Sequence, residues 1–395
     1  MGKVQKRGVA MQAEYAVLLS MVRSQMNGTP FVLPEDVDMD QLVRFATAHS
    51  LEPFVYAALE DKALPEELAD RLFGAYHNAI FRDTQFDFVR QQVSQVLSKE
   101  GIEHVFMRGI CLKEDYPMPS LRTMSDVDVL VRAEDLPKIR HAMASTNAAA
   151  CYGDGNHRNF IFPQNIEVEF HPMLLHCSAP VGTAINPGWQ YVPKGQPGFC
   201  HVMTEEGFYL NVMSHFASHF FTNGAGIRFV LDIWVCRNRR KVAIDRAFVE
   251  QELQRLGLLD FAQKVEKLGQ VWFSGEPMQP ELEEIEAYIC SSSLHGLKDR
   301  GHLNALCFAP GGNSFSALWG KAFYPKGDLE NRFDWLQGRP WLKPVAWMVR
   351  AWIALTRRLP AIRQWHAGTK QYSKAQIQQQ QEKLARFGVN VKENR

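Results

Sequence analysis

Apolar residues in the first hundred positions recur at helical spacing. Met11, Tyr15, Leu18, Leu19, Val22 and Met26 form one stripe, and Asn27-Gly28 follows as a stop. A second helix is predicted from Asp38, an N-cap residue type, to Glu60. A third starts at Pro65, a first-turn residue, carries Phe86, Val89, Val93 and Val96 on one face, and closes at Gly101.

The period then changes. Ile102–Met107 is a short apolar-rich run of strand length ending at Arg108-Gly109, and Met124–Val131 reads as a second strand. A helix follows from Glu134 to about Ser145, with Leu136, Ile139 and Met143 inward. Arg158–Phe162 and Ile166–His171 then predict a hairpin about Pro163-Gln164-Asn165. Beyond residue 200 helical spacing returns over Glu205–Phe221, Gly226–Arg239, Asp245–Leu256, Leu259–Trp272 and Leu282–Cys290. The expected fold class is α+β. A helical region (1–100) and a second helical domain (201–367) flank a strand-bearing core (101–200), and a polar, Gln-rich tail (368–395) is either a solvated helix or disordered.

Composition narrows this picture without changing it. A chain of 395 residues with 46% apolar and 22% charged side chains is long enough for two or three packed units and too apolar for a disordered protein. Basic and acidic residues number 44 and 43, so no overall charge argues for nucleic acid. The seven cysteines, at 111, 151, 177, 200, 236, 290 and 307, form no CxxC pair and are odd in number, the usage of a reducing compartment. There is no run of 18 apolar residues and no secretory pattern at the N-terminus, so a cytoplasmic protein without a membrane span is expected.

The chemistry concentrates in Ser125-Asp126-Val127-Asp128-Val129-Leu130-Val131. In a strand Asp126 and Asp128 point to one face, about 6.5–7 Å apart, and the valines point to the other. Paired hard oxygen ligands suit magnesium or manganese, although an isolated pair also describes an edge strand with one solvated acidic face. Ile166–His171 adds Glu167, Glu169 and His171 on a common face, and strand parity does not choose between the two glutamates. A two-metal phosphoryl-transfer site needs three carboxylates, which this strand completes if it pairs beside the first.

The run IEHVFMRGICLKEDYPMPSLRTMSDVDVLV (102–131), with Glu169-Phe170-His171, resembles an uncharacterised bacterial nucleotidyltransferase family. That family shows a lysine-glycine turn, a Tyr-Pro-x-Pro connection, an arginine, Asp-hydrophobic-Asp and an acidic-x-His strand. His215, His219 and Ile227-Arg228 to Asp232 look like its next helices, and the likeness covers most of the chain. It implies a DNA polymerase beta-like nucleotidyltransferase core with a small mixed β-sheet, two Mg2+ or Mn2+ ions, and Asp126, Asp128 and Glu169 as catalytic metal ligands. Here Arg108 stands where lysine is commoner, and Ile110, not the wider superfamily's serine, follows Gly109. Arg108, the Gly109 amide and Arg122 are the candidates for the phosphates of an NTP such as ATP, guanidinium groups being suited to bidentate phosphate contacts. Arg122 reads equally well as half of an ion pair with a surface acid.

Several further residues have two readings. His215 and His219, four apart on a helix, line the cleft or are hydrogen-bonded interior groups; Arg228 and Asp232 contact a substrate or form an ordinary i,i+4 ion pair. Glu167 and His171 are possible cleft residues, and His157 and Arg158 are placed on the surface. Five tryptophans interleaved with arginines between 332 and 365 are expected to pack on the second helical domain while the arginines reach water, or to form a self-association face. No dinucleotide, P-loop, serine-hydrolase or kinase signature occurs. The expected function is transfer of NMP from NTP to an unidentified hydroxyl acceptor. The alternative is a non-catalytic module binding a nucleotide or phospho-ligand in the same cleft.

Overall fold

The structure is a computed structural model and describes residues 2–62, 64–151, 158–174, 187–240, 242–314, 316–317, 329, 333, 336, 339–357 and 359–388. The N-terminal helices are α1 (Gly2–Asn27), α2 (Met39–His49), α3 (Glu52–Leu59) and α4 (Glu66–Lys99). The expected single helix over Asp38–Glu60 is thus two. Ser50 takes the left-handed conformation, with φ of 55°, and its N–H closes onto Ala46 and Thr47. Pro53 then sits in the first turn of α3, where its missing N–H leaves nothing unpaired.

The sheet consists of β1 (His104–Met107), β2 (Asp126–Val131), β3 (Ala149–Cys151), β4 (Arg158–Phe162), β5 (Ile166–His171) and β6 (Cys200–His201), in the order β3-β4-β5-β2-β1-β6. A four-residue helical turn, α5 (Gly109–Leu112), follows β1, and α6 (Leu136–Met143) follows β2. β1 runs antiparallel to β2, β2 parallel to β5, and β4–β5 is the expected hairpin. The fold is α+β with a mixed sheet. β3 and β6 were not predicted, because two or three residues are too few to show a period of two.

Both faces of the sheet are covered, and by different layers. Val127, Val129 and Val131 pack with Phe160, Val168 and Phe170 beneath α4 and α6, against Phe86, Val89, Val93 and Ile139. Each buried valine contributes about 1.5–3 kcal/mol. On the opposite face Val105, Met107 and Leu130 join a core that includes residues of α1–α3 and of the later helices α7 (Glu205–Thr222), α8 (Ile227–Asn238), α9 (Arg246–Arg255), α10 (Leu259–Gly269), α11 (Glu283–Cys290) and α12 (Lys298–Phe308). The two helical regions therefore share one hydrophobic core. Asp126 and Asp128 of β2 lie on this same face of the sheet.

The last helices are α13 (Lys343–Arg357), α14 (Leu359–Lys370) and α15 (Lys374–Arg386). Over its described residues, 368–388, the Gln-rich tail is helical and only partly solvated: α15 begins with a Ser373/Gln376 capping box and buries Ile377, Gln380 and Leu384. The Gln380 amide donates to Asn304 of α12 at 2.8 Å, so a glutamine that looks like surface in sequence is interior. The tryptophan segment meets the packing expectation only in part: Trp365 packs on the helical core beside His302, whereas Trp341 and Trp352 do not. α13 buries Ala346 against Leu329 and Leu336, with Trp347 packed alongside. The opposite stripe, Trp341, Val345, Met348, Val349 and Trp352, faces solvent. Trp335, like Cys177 and His157, lies outside the described residues, as do the side chains of Cys151 and Arg158. Among the described residues no helix is long and apolar enough to cross a membrane.

Candidate active site

Strand pairing settles which acids meet. Asp126 lies opposite Glu167 and Asp128 opposite Glu169, so the alternation of each strand puts all four carboxyls on one face of the sheet. They are not equivalent. A cavity of about 260 Å³ is lined by Asp126, Asp128 and Glu169 together with Arg108, Arg122, Arg228 and Asp232. Glu167 is outside this lining, bonded to Asn159 of β4, whose amide also lies 3.3 Å from Glu169 Oε1. Asn159 had no sequence signal of its own; the register of the β4–β5 hairpin places it opposite Glu169.

Crowding buried acids together shifts their protonation. Burial and then Asp128 push the Asp126 carboxyl up. Burial followed by Asp128 and Asp126 raises Glu169 to about 8. Burial alone would raise Asp128 as well, but Arg108 and His171 outweigh it and hold that carboxyl below its usual range. Asp128 is thus the anchored charge of the group. Its Oδ1 accepts from Arg108 Nη1 at 2.6 Å and lies 2.8 Å from His171 Nε2.

Arg108 reaches this position from an unusual backbone. Its φ of 55° and ψ of −125° belong to glycine rather than to a residue that carries a Cβ. The guanidinium is held at its other end by the Leu174 carbonyl, 2.7 Å from Nη2. Next to it Gly109 is required by contact: a Cβ there would meet the Arg122 guanidinium at 2.5 Å and Met124 Sδ at 2.9 Å. Gly109→Ala is therefore expected to destabilise the protein by about 1–3 kcal/mol through overpacking, read as a lower denaturation midpoint in urea.

Arg122 does form an ion pair, but with a buried partner rather than a surface acid. Its Nη2 donates to Asp232 Oδ2 at 2.7 Å and its Nε to Oδ1 at 3.2 Å, and the Tyr116 hydroxyl donates to the same Oδ1 at 2.6 Å. The expected i,i+4 pair between Arg228 and Asp232 is not how these groups are bonded. Arg228 Nη1 donates to the Thr123 carbonyl at 2.7 Å and hydroxyl at 2.9 Å. Arg122 presents a fork that matches both Asp232 oxygens, which Arg228 on the same helix does not reach. Tyr116 was part of the Tyr-Pro-Met-Pro connection, but nothing in that motif tells of its hydroxyl's partner.

His215 and His219 of α7 line the same cavity, as does His295. Burial, and then the positive charge of Arg108, holds His215 well below its usual range and His219 at about 4, so both are neutral imidazoles. His295 stands in a loop without a motif and had no sequence signal. A second cavity of about 290 Å³ adjoins the first across Arg122, Met124, Ser125, Arg228 and His295, and is lined further out by Ser50, Glu52, Asn78 and Arg82.

Ligand atoms of Asp128, Glu169 and His171 lie within 4.8 Å of one another. Two carboxylates and an imidazole at that spacing fit a divalent cation, with Asp126 lining the same cavity. A mixed sheet whose central strand presents paired acids to a third on the neighbouring strand, roofed by helices and ringed by arginines, defines a nucleotidyltransferase core. The chain belongs to the family described as uncharacterised nucleotidyltransferase, whose model matches residues 35–274. No curated relative and no solved structure matches it.

Proposed function

We propose that this chain is a metal-dependent transferase that moves the NMP group of an NTP to a hydroxyl acceptor. The observation that carries the reading is the convergence of Asp126, Asp128 and Glu169 on one cavity lined by three arginines. Acids alone would suit any cation; acids facing guanidinium groups suit a cation together with a polyphosphate.

In this reading Asp126, Asp128 and Glu169 hold the divalent metal, which when bound supplies charge neutralisation at the phosphates and makes the acceptor hydroxyl more acidic. Arg108, Arg122 and Arg228 receive the triphosphate. Arg122 is oriented by Asp232 and Tyr116, and Arg228 by Thr123, so their charges are pre-positioned. The acceptor oxygen attacks the α-phosphorus in line, the bond from that phosphorus to the oxygen of the β-phosphate breaks, and pyrophosphate leaves. A cation bound beside Glu169 would favour its ionised form, and that carboxylate is the group we assign to take the hydroxyl proton. The neutral His215 and His219 form the opposite wall, and we place the acceptor in the second, adjoining cavity.

The test is incubation of the purified chain with each α-labelled NTP, manganese and panels of sugar, alcohol and protein acceptors. Label transfer with pyrophosphate release is the expected result. Metal-dependent NTP binding without either would instead assign the cleft to a non-catalytic binding module.

A further inference from the structure

A carboxylate that bridges two metal ions must offer one oxygen to each. Asp128 is the residue placed to bridge, since it lies between Asp126 on its own strand and Glu169 on the next. Its Oδ1 is already taken, by Arg108 Nη1 at 2.6 Å and His171 Nε2 at 2.8 Å. A second cation seated at that oxygen would stand at ion-pair distance from a permanent guanidinium charge, with a side chain only 12% exposed to screen it. Arg108 has little room to withdraw, because Nη2 is fixed to the Leu174 carbonyl at 2.7 Å.

The backbone points the same way. Arg108 has a φ of 55°, a conformation that costs a non-glycine residue of order 1–2 kcal/mol. A sequence under no constraint here would use glycine, which adopts the turn freely. What arginine adds is the guanidinium over Asp128.

We propose that this site takes one divalent cation, held through Asp128 Oδ2 and Glu169 with Asp126 and His171 beside it, and that the Arg108 guanidinium occupies the place of a second. The inference rests on the metal-dependent reading above and departs from the two ions that the family resemblance implies. One positive charge of the site is then built into the chain and independent of metal supply.

The probe is Mn2+ alone, titrated into the full chain without nucleotide, with free ion counted by electron paramagnetic resonance. Wild type is expected to bind one ion. Arg108→Gly relaxes the backbone and vacates the position, so it should bind two; Arg108→Lys keeps a cation there and should bind one. Circular dichroism checks that each variant is folded, and Arg108→Gln serves as the uncharged variant if the glycine form is not. Two ions on wild type would overturn the inference and leave the metal-dependent transferase intact. No bound ion would overturn the inference, and the labelled-NTP transfer assay would then decide the transferase reading by itself. A count that stays at one in both uncharged variants would overturn the assignment of the second place to Arg108.

Discussion

Asp126→Asn is expected to lower metal-dependent NTP affinity by more than about a hundredfold, since even outer-shell partners of bound metals are worth 10–100-fold and Asp126 is assigned as a ligand itself. The same substitution should leave the protein at least as stable as wild type at neutral pH. Burial and Asp128 raise the Asp126 carboxyl, so over the window between its unfolded and folded values the folded chain holds the extra proton. Stability therefore falls as pH rises through that window, and the deficit is complete above it. Asparagine keeps the shape and removes the charge, so the gain appears at neutral pH and vanishes below the usual carboxylate range. Asp128→Asn should lose metal-dependent binding equally, but at a cost in stability, because it leaves Arg108 without its carboxylate. Calorimetric titration with Mg-NTP and urea denaturation at two pH values read these outcomes. Unchanged Mg-NTP binding in Asp126→Asn would remove the carboxylate reading of the site.

Asp232→Ala is expected to destabilise the fold by about 3–5 kcal/mol, the cost of breaking a buried ion pair from one side. The side chains of Arg122 and Asp232 are 10% and 5% exposed, so water does little to replace the lost partner. Burial already works against the Arg122 charge, and Asp232 is what outweighs it. The Tyr116 hydroxyl loses its acceptor in the same step. Asp232→Asn should cost less, since it still accepts from both groups. A urea midpoint for the alanine variant close to wild type would show that the pair is not what joins α8 to the connection before β2. Such a result would also weaken the assignment of Arg122 to the phosphates.

The positions of these groups divide by how far the cause lies along the chain. The Asp126-Val127-Asp128 alternation is local, so the separation of acids from valines was determined by sequence and holds in the sheet. Most helices after residue 200 were legible for the same reason, because a period of 3.6 is visible in any dozen residues. The break at Ser50 was less legible, resting on one left-handed residue, although Pro53 was there to read.

Groups that meet across a hundred residues were not legible. Arg122 reaches Asp232 because α8 crosses the connection before β2, and no local period encodes that crossing; local spacing instead suggested the Arg228 partner. Parity left Glu167 and Glu169 equivalent, and the β2–β5 register with the position of the cavity separated them. The buried Gln380 and the exposed Trp341 and Trp352 likewise reverse what residue type suggests, since burial depends on which face finds a partner. Sequence by itself determined the elements, the face of each strand and the acids available for chemistry. Only the tertiary structure decided which charges are paired, because pairing is set by distances between elements, and with it that Arg108 lies against the anchored carboxylate.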